Sequence, residues 1–189
     1  AWAPRVDNGW TPYQTGYWYT DYPYGPTWVS SEPWGYAPYH YGRWTNVSGR
    51  WFWIPGSVNT YPTYSPALVA WVPLNQNDIG WVPLGPNDAY LPRYYNYDWQ
   101  PTYLSRQEIV QRQLANLYVP GAVTVVPIDQ FGRVLDGRNV WRADRQLLAN
   151  VNPVLDPLYY TPLRNAAIHS AWGRGKIDIP PGIAKKLSD

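Results

Sequence analysis

Through residues 1–99 a proline or glycine falls every few positions, and short runs of Trp and Tyr lie between these breakers. Proline removes a backbone donor and clashes with the preceding helical turn, so no helix of useful length fits there. Short aromatic runs between turn residues are the signature of strands. The predicted fold class is therefore mainly β: an antiparallel meander of short, aromatic-rich hairpins.

The breakers and aromatics repeat. Pro12-Tyr13-Gln14-Thr15-Gly16-Tyr17-Trp18 matches Pro38-Tyr39-His40-Tyr41-Gly42-Arg43-Trp44 in the frame P-Y-x-x-G-x-W. Each copy is preceded by a Trp, Trp10 or Trp34, and followed by a Trp-bearing run, Thr27–Ser30 or Arg50–Ile54. The spacing suits a two-strand unit better than a helical repeat. A looser pair follows, Ala70-Trp71-Val72-Pro73-Leu74 and Gly80-Trp81-Val82-Pro83-Leu84. Strand alternation puts Trp51 and Trp53 on one face and Phe52 and Ile54 on the other, and isolates Trp18 from Tyr17 and Tyr19. Ser48-Gly49 and Asp21-Tyr22-Pro23-Tyr24-Gly25 read as hairpin turns.

Residues 1–99 hold 11 of the 13 Trp and 14 of the 18 Tyr. The change near Trp99–Thr102 divides the chain into a Trp/Tyr-rich β-repeat domain, 1–99, and a smaller α+β segment, 100–189. The second part opens on a capping box, Ser105-Arg106-Gln107-Glu108. Ile109, Val110, Leu114 and Leu117 then recur at helical spacing, which predicts a helix over about 105–117, stopped by Pro120-Gly121. Ala122–Val126 reads as a strand, and Val134–Trp141 as a hairpin around Asp136-Gly137. Residues 144–150 read as a short helix, and the tail through Ile177, Ile179 and Pro181 as extended and Pro-rich.

The aromatics are chosen unevenly, with 18 Tyr and 13 Trp against only 2 Phe. A dry core has no reason to avoid Phe, whereas a half-solvated face favours rings with a polar handle. The expectation is of sheet faces that stay partly wet or meet another surface. The chain has no Cys, which excludes disulfides and thiolate chemistry. It also has no Met, even at position 1, so the numbering is expected to begin after an initiator and after processing. No apolar run reaches a membrane-spanning length. A net charge of +2 is too weak to argue for nucleic acid.

The strings Glu32-Pro33-Trp34-Gly35-Tyr36-Ala37-Pro38-Tyr39-His40-Tyr41-Gly42-Arg43-Trp44 and Pro66–Trp71 with Gly80–Pro86 are distinctive. Together with Gly121–Pro127 and Phe131 they resemble a Trp/Tyr-rich bacterial family of unknown function, numbered 6600, over most of residues 9–165. The chain departs from the commoner pattern at Pro26-Thr27, where Gly-Trp-x-Trp is expected. The resemblance implies an exported envelope or extracellular protein and brings no catalytic motif with it.

The residues themselves offer little chemistry. The two histidines, His40 and His169, have no partner at ligand spacing. His40 reads as a strand residue between Tyr39 and Tyr41. Asp21 and Glu32 are the one acid pair worth weighing for glycoside chemistry, but most acids here stand in turn or cap contexts. No nucleophile elbow or phosphate loop occurs, and Asn46-Val47-Ser48 is an isolated sequon. The catalytic, metal and cofactor sets are therefore empty, and the chain reads as not an enzyme.

The leading expectation is an extracellular structural protein that self-associates, as the subunit of a surface fibre or envelope layer. It would do so by strand donation from Ala1–Trp10 or Gly175–Pro180 (Ile177 and Ile179) and by aromatic contacts. The alternative is a carbohydrate-binding module for cell-wall or capsule glycan, with Trp10, Tyr13, Trp18, Trp34, Tyr39 and Trp44 as the contact platform. The expected partners are thus self and possibly glycan, with neither nucleic acid nor a membrane span.

Overall fold

The computed structural model describes residues 1–21, 25–56, 64–89 and 114–155. Its strands are β1 (Thr15–Asp21), β2 (Gly25–Ser30), β3 (Arg43–Val47), β4 (Arg50–Ile54), β5 (Val69–Val72), β6 (Asp78–Pro83), β7 (Thr124–Pro127), β8 (Leu135–Asp136) and β9 (Trp141–Arg142). Among the described residues there are two short helices, α1 (Tyr36–His40) and α2 (Arg145–Leu148), and a 3-10 turn spans Ile128–Gln130. The sheets run β2-β1-β8, β3-β4 and β5-β6-β7-β9, and every pairing is antiparallel. The expected antiparallel, mainly β class is what the chain adopts.

Three hairpins carry the design. In each, two Trp residues stand directly opposite one another: Trp18 and Trp28 in β1–β2, Trp44 and Trp53 in β3–β4, Trp71 and Trp81 in β5–β6. The looser Trp71/Trp81 pair is thus the two strands of a third hairpin. Alternation works as expected around Trp18, which is buried while Tyr19 is 40% exposed. The β5 strand is buried at every position, as its unbroken apolar run Val-Ala-Trp-Val requires. Ser48 and Gly49 close the β3–β4 hairpin with φ of 51° and 84°. Two consecutive positive values mark the turn whose twist matches its flanking strands. Asn46 Oδ1 accepts from the Gly49 amide at 3.0 Å and fixes the turn from within.

The glycine of the P-Y-x-x-G-x-W frame has a steric reason. A Cβ on Gly16 would lie 2.3 Å from the Val29 carbonyl oxygen, and one on Gly42 would lie 2.3 Å from that of Ile54. In both copies the first strand of the hairpin is entered under the partner strand's backbone, where only glycine fits. The prolines of the two copies differ in setting. Pro12-Tyr13 lies in a turn, with Tyr13 at φ 64°, whereas Pro38 lies inside α1. This corrects the strand position expected for His40, which ends α1. Pro38 is tolerated there because the first turn of a helix has no acceptor for its amide positions.

Beyond residue 100, three expectations meet the structure differently. The strand read over Ala122–Val126 begins two residues later as β7, the helix read over 144–150 forms as the shorter α2, and the Asp144 side chain caps α2 by accepting from the Leu147 amide at 2.9 Å. The helix expected over 105–117 lies outside the described residues as far as 113. Its end, Leu114–Leu117, is turn and not helix: Leu117 N bonds Leu114 O at 3.2 Å, and Val119 N bonds Asn116 O at 3.1 Å. The three-residue pitch buries Leu114 and Leu117 and lets buried Asn116 donate to the carbonyls of Trp44 and Pro83, both at 2.9 Å. The hairpin expected at 134–141 is also corrected. Its turn exists at Gly137, φ 79°, but β8 pairs with β1 and β9 with β7. Leu135 is drawn opposite Gly16 and buried, so the turn passes the chain from one sheet to another.

The compositional change near 99–102 is not a break in hydrogen bonding. Strands from both sides of it share the β2-β1-β8 and β5-β6-β7-β9 sheets. Single backbone bonds tie the sheets together, Trp28 N to Pro66 O and Trp44 N to Leu84 O, both at 3.0 Å. Gln14 adds a side-chain link: its Nε2 donates to Thr124 Oγ1 at 2.8 Å, and its Oε1 accepts from Arg142 Nη2 at 2.9 Å. One apolar cluster results, running from Tyr13 through the hairpin tryptophans to Val125, Leu135 and Leu148.

Candidate functional site

The six aromatics expected to form a contact platform are brought together, but facing inward. Tyr13, Trp18, Tyr39 and Trp44 are all at most 1% exposed, and Trp10 and Trp34 are half-buried against the same cluster. Their rings meet edge to face or stacked: Tyr13–Tyr39 at 4.6 Å, Trp10–Trp34 at 5.7 Å, Trp10–Trp44 at 5.6 Å and Trp34–Tyr39 at 5.9 Å. This corrects the platform reading at Tyr13, Trp18, Tyr39 and Trp44, because buried faces cannot meet a sugar. The preference for Tyr and Trp over Phe has a different cause from the half-wet sheets expected. Handles are used inside at Tyr13, Trp44, Trp53 and Trp81, where a ring that also donates satisfies a backbone carbonyl, while the buried Trp18 and Trp28 Nε1 have no partner among the described residues. Tyr13 OH donates to Tyr39 O at 2.9 Å and accepts from Leu68 N at 3.1 Å, while Tyr13 O accepts from Trp81 Nε1 at 3.1 Å. One residue of the first repeat thereby pins the other two.

Among the described residues, Glu32 is the one acid bonded into this aromatic cluster. Its Oε1 accepts from Trp10 Nε1 at 2.7 Å, and its Oε2 accepts from Ser30 Oγ at 3.2 Å and from the Tyr39 hydroxyl. Burial raises its pKa from the ordinary 4.5, against the pull of those three donors. Burial, reinforced by the neighbouring Glu32 carboxylate, pushes the Tyr39 phenol well up. With its oxygens occupied by Trp10, Tyr39 and Ser30, the carboxylate acts as a clasp between the N-terminal segment, the end of β2 and α1. The side chain of Asp21, its expected companion, lies outside the described residues. Among the described residues no group of three His, Cys, Asp or Glu is placed to hold a metal ion.

His40 and its surroundings form a separate group. His40 is 6% exposed, and its Nδ1 lies 2.8 Å from Ser65 O, which makes that nitrogen the donor. Burial lowers its pKa from 6.5, so the ring is neutral at neutral pH. Tyr36 packs against it at 5.1 Å and Tyr64 stacks on it at 4.9 Å; Tyr41 completes the group at 6.0 Å from Tyr64. Tyr36 is 67% and Tyr64 44% exposed. No reading of the sequence singled out this patch. The available signal was Tyr36 and His40 four residues apart, which share a face only once α1 is recognised.

Of the two candidate donated strands, Ile177 and Ile179 lie outside the described residues. The segment Ala1–Trp10 is placed on its own chain. Trp2 N donates to Trp53 O at 2.8 Å and Trp53 N to Trp2 O at 2.7 Å, an isolated antiparallel bridge on the outer edge of β4. Trp2 also meets the Trp34 ring at 5.2 Å, while residues 5–9 are exposed. Val154 makes a similar single bridge to Trp71 on the edge of β5. No helix among the described residues is long and apolar enough to cross a membrane.

Residues 1–88 match the model of a family of unknown function, DUF6600. The match bears out the resemblance and ends within the turn that follows β6, short of β7 and Phe131. No curated protein and no solved structure matches the chain.

Proposed function

We propose that this DUF6600-bearing chain is a non-catalytic structural module of the bacterial cell surface, which self-associates by exchanging its N-terminal arm. The observation that carries the reading is the Trp2–Trp53 bridge. It is a strand addition to the edge of β4, made by a segment held there through two backbone bonds. An arm that completes an edge in its own chain can complete the same edge in a neighbour, with the same contacts and little change in energy. Repeated head to tail, the exchange gives a fibre or a layer. The inward use of the aromatics and the full engagement of Glu32 support a structural role over a catalytic one.

Light scattering over a concentration series, with negative-stain imaging, tests the proposal. The wild-type chain is expected to form oligomers that grow with concentration, and Trp2→Ala to stay monomeric while keeping its fold. Because the chain has no Cys, mixing Trp2→Cys with Trp53→Cys protein adds a direct readout. Facing bridge positions lie within disulfide reach, so arm exchange predicts a disulfide-linked heterodimer. A monomeric wild type, or a Trp2→Ala variant that assembles like wild type, would overturn the reading.

A further inference from the structure

The tyrosine patch around His40 has no part in arm exchange, and its chemistry is specific. Its contacting rings are Tyr36, Tyr41, Tyr64 and His40, three phenols around one imidazole. The cation next along the chain, Arg43, turns its Nη1 to the Gly42 carbonyl at 2.8 Å. The rings do not lie in one plane. Tyr36 is tilted 53° to His40 and 59° to Tyr41, and Tyr41 stands at 71° to Tyr64. An exposed ring face is therefore flanked by other rings that carry hydroxyls.

We propose that this patch is a binding site for a neutral saccharide, whose ring packs its C–H face on Tyr36 while the tyrosine hydroxyls bond its hydroxyls. Two features favour a sugar over a proline-rich peptide, the other ligand that aromatic surfaces take. Phenol hydroxyls both donate and accept, as sugar hydroxyls do, whereas proline residues offer carbonyl acceptors and no N–H. The rings of His40 and Tyr41 also stand at 53° and 59° to that of Tyr36, which suits a single ring edged by hydroxyls. A neutral ligand suits the four contacting rings, three phenols and an imidazole. Burial lowers the His40 imidazole pKa and pushes the Tyr64 phenol up, which favours the uncharged form of both at neutral pH.

The test is an array of short neutral oligosaccharides of hexoses and N-acetylhexosamines, followed by calorimetry on the strongest binder with the full chain. Binding is expected. Tyr36→Ala and Tyr64→Ala should each weaken it by about tenfold or more, the scale of a lost contact residue. Tyr36→Phe keeps the ring and should retain most of the affinity. Tyr36 is exposed enough that neither variant endangers the fold. The site is overturned if no sugar binds, if Tyr36→Ala binds as well as wild type, or if Tyr36→Phe loses as much as Tyr36→Ala. It is also overturned if a polyproline peptide displaces the sugar or binds the patch in its place. Oligomerisation should be unchanged in Tyr36→Ala, so this test and that of arm exchange fail independently.

Discussion

Trp28 and Trp44 are both fully buried, but only Trp44 has a partner for its indole N–H. Trp44 Nε1 donates to Pro38 O at 3.0 Å, whereas Trp28 Nε1 has no partner among the described residues. Replacing either by Phe opens a similar cavity, but only at Trp44 does it orphan a buried carbonyl. Trp44→Phe is therefore expected to cost about 1 kcal/mol more than Trp28→Phe in denaturant unfolding. Glu32 and His40 give a second residue-scale expectation, with opposed signs. Raised in the fold, Glu32 contributes stability below pH 4.5 that is lost as pH rises through its folded value. Lowered in the fold, His40 contributes stability above pH 6.5 that is lost as pH falls through its folded value. Between pH 4.5 and 6.5 the two slopes oppose. Glu32→Gln should leave stability rising with pH over that window, and His40→Asn should leave it falling. Equal slopes in both variants would contradict the assignment. The residues involved were visible as aromatics and acids, but their roles were not. Which indole finds a carbonyl, or which carboxylate is buried, depends on contacts between segments far apart in sequence.

The hairpin is the element in which sequence and structure agree best. Alternation, the Ser48-Gly49 turn and the conserved-in-frame Gly and Trp are local properties, so they could be read directly. The steric role of the frame glycine leads to a comparison. Gly16→Ala and Gly42→Ala each drive a Cβ to 2.3 Å from a partner-strand carbonyl, whereas a Cβ on Gly49 meets nothing within 4 Å. The first two should lower stability by about 2 kcal/mol or more, by overpacking added to backbone shifts. Gly49→Ala should cost only about 1 kcal/mol, for its positive φ. Thermal unfolding of the three variants checks the order. The elements read wrongly share a cause. The stretch at Leu114–Leu117, α1 and the supposed 134–141 hairpin are short segments whose form is decided by a distant partner. Asn116 is held by Trp44 and Pro83, α1 by its packing on Tyr13, and Leu135 by the edge of β1 at Gly16. Local pattern carries no record of such partners.

Across the whole molecule, the Trp/Tyr-rich repeats and the plainer residues after them build shared sheets. The family match ends at residue 88, but β7 covers the outer edge of β6 and β8 that of β1. A chain cut after residue 88 would lose both strands with Asn116, Thr124 and Arg142. It is expected to lose cooperative thermal unfolding by circular dichroism; a sharp transition in that fragment would show the repeats to be self-sufficient. The change of composition near residue 100 invited a domain boundary because composition reports what a segment is made of, and strand pairing is a different property. The same limit applied to the aromatics, whose abundance was evident and whose direction was not. That direction is the central claim, and residue-resolved hydroxyl-radical footprinting of the thirteen tryptophans tests it most directly. Trp18, Trp28, Trp44 and Trp81, all at most 1% exposed, should be strongly protected, and Trp2 at 39% and Trp141 at 37% should be labelled readily. Labelling of Trp18 and Trp44 at the rate of Trp2 would contradict the inward-facing core.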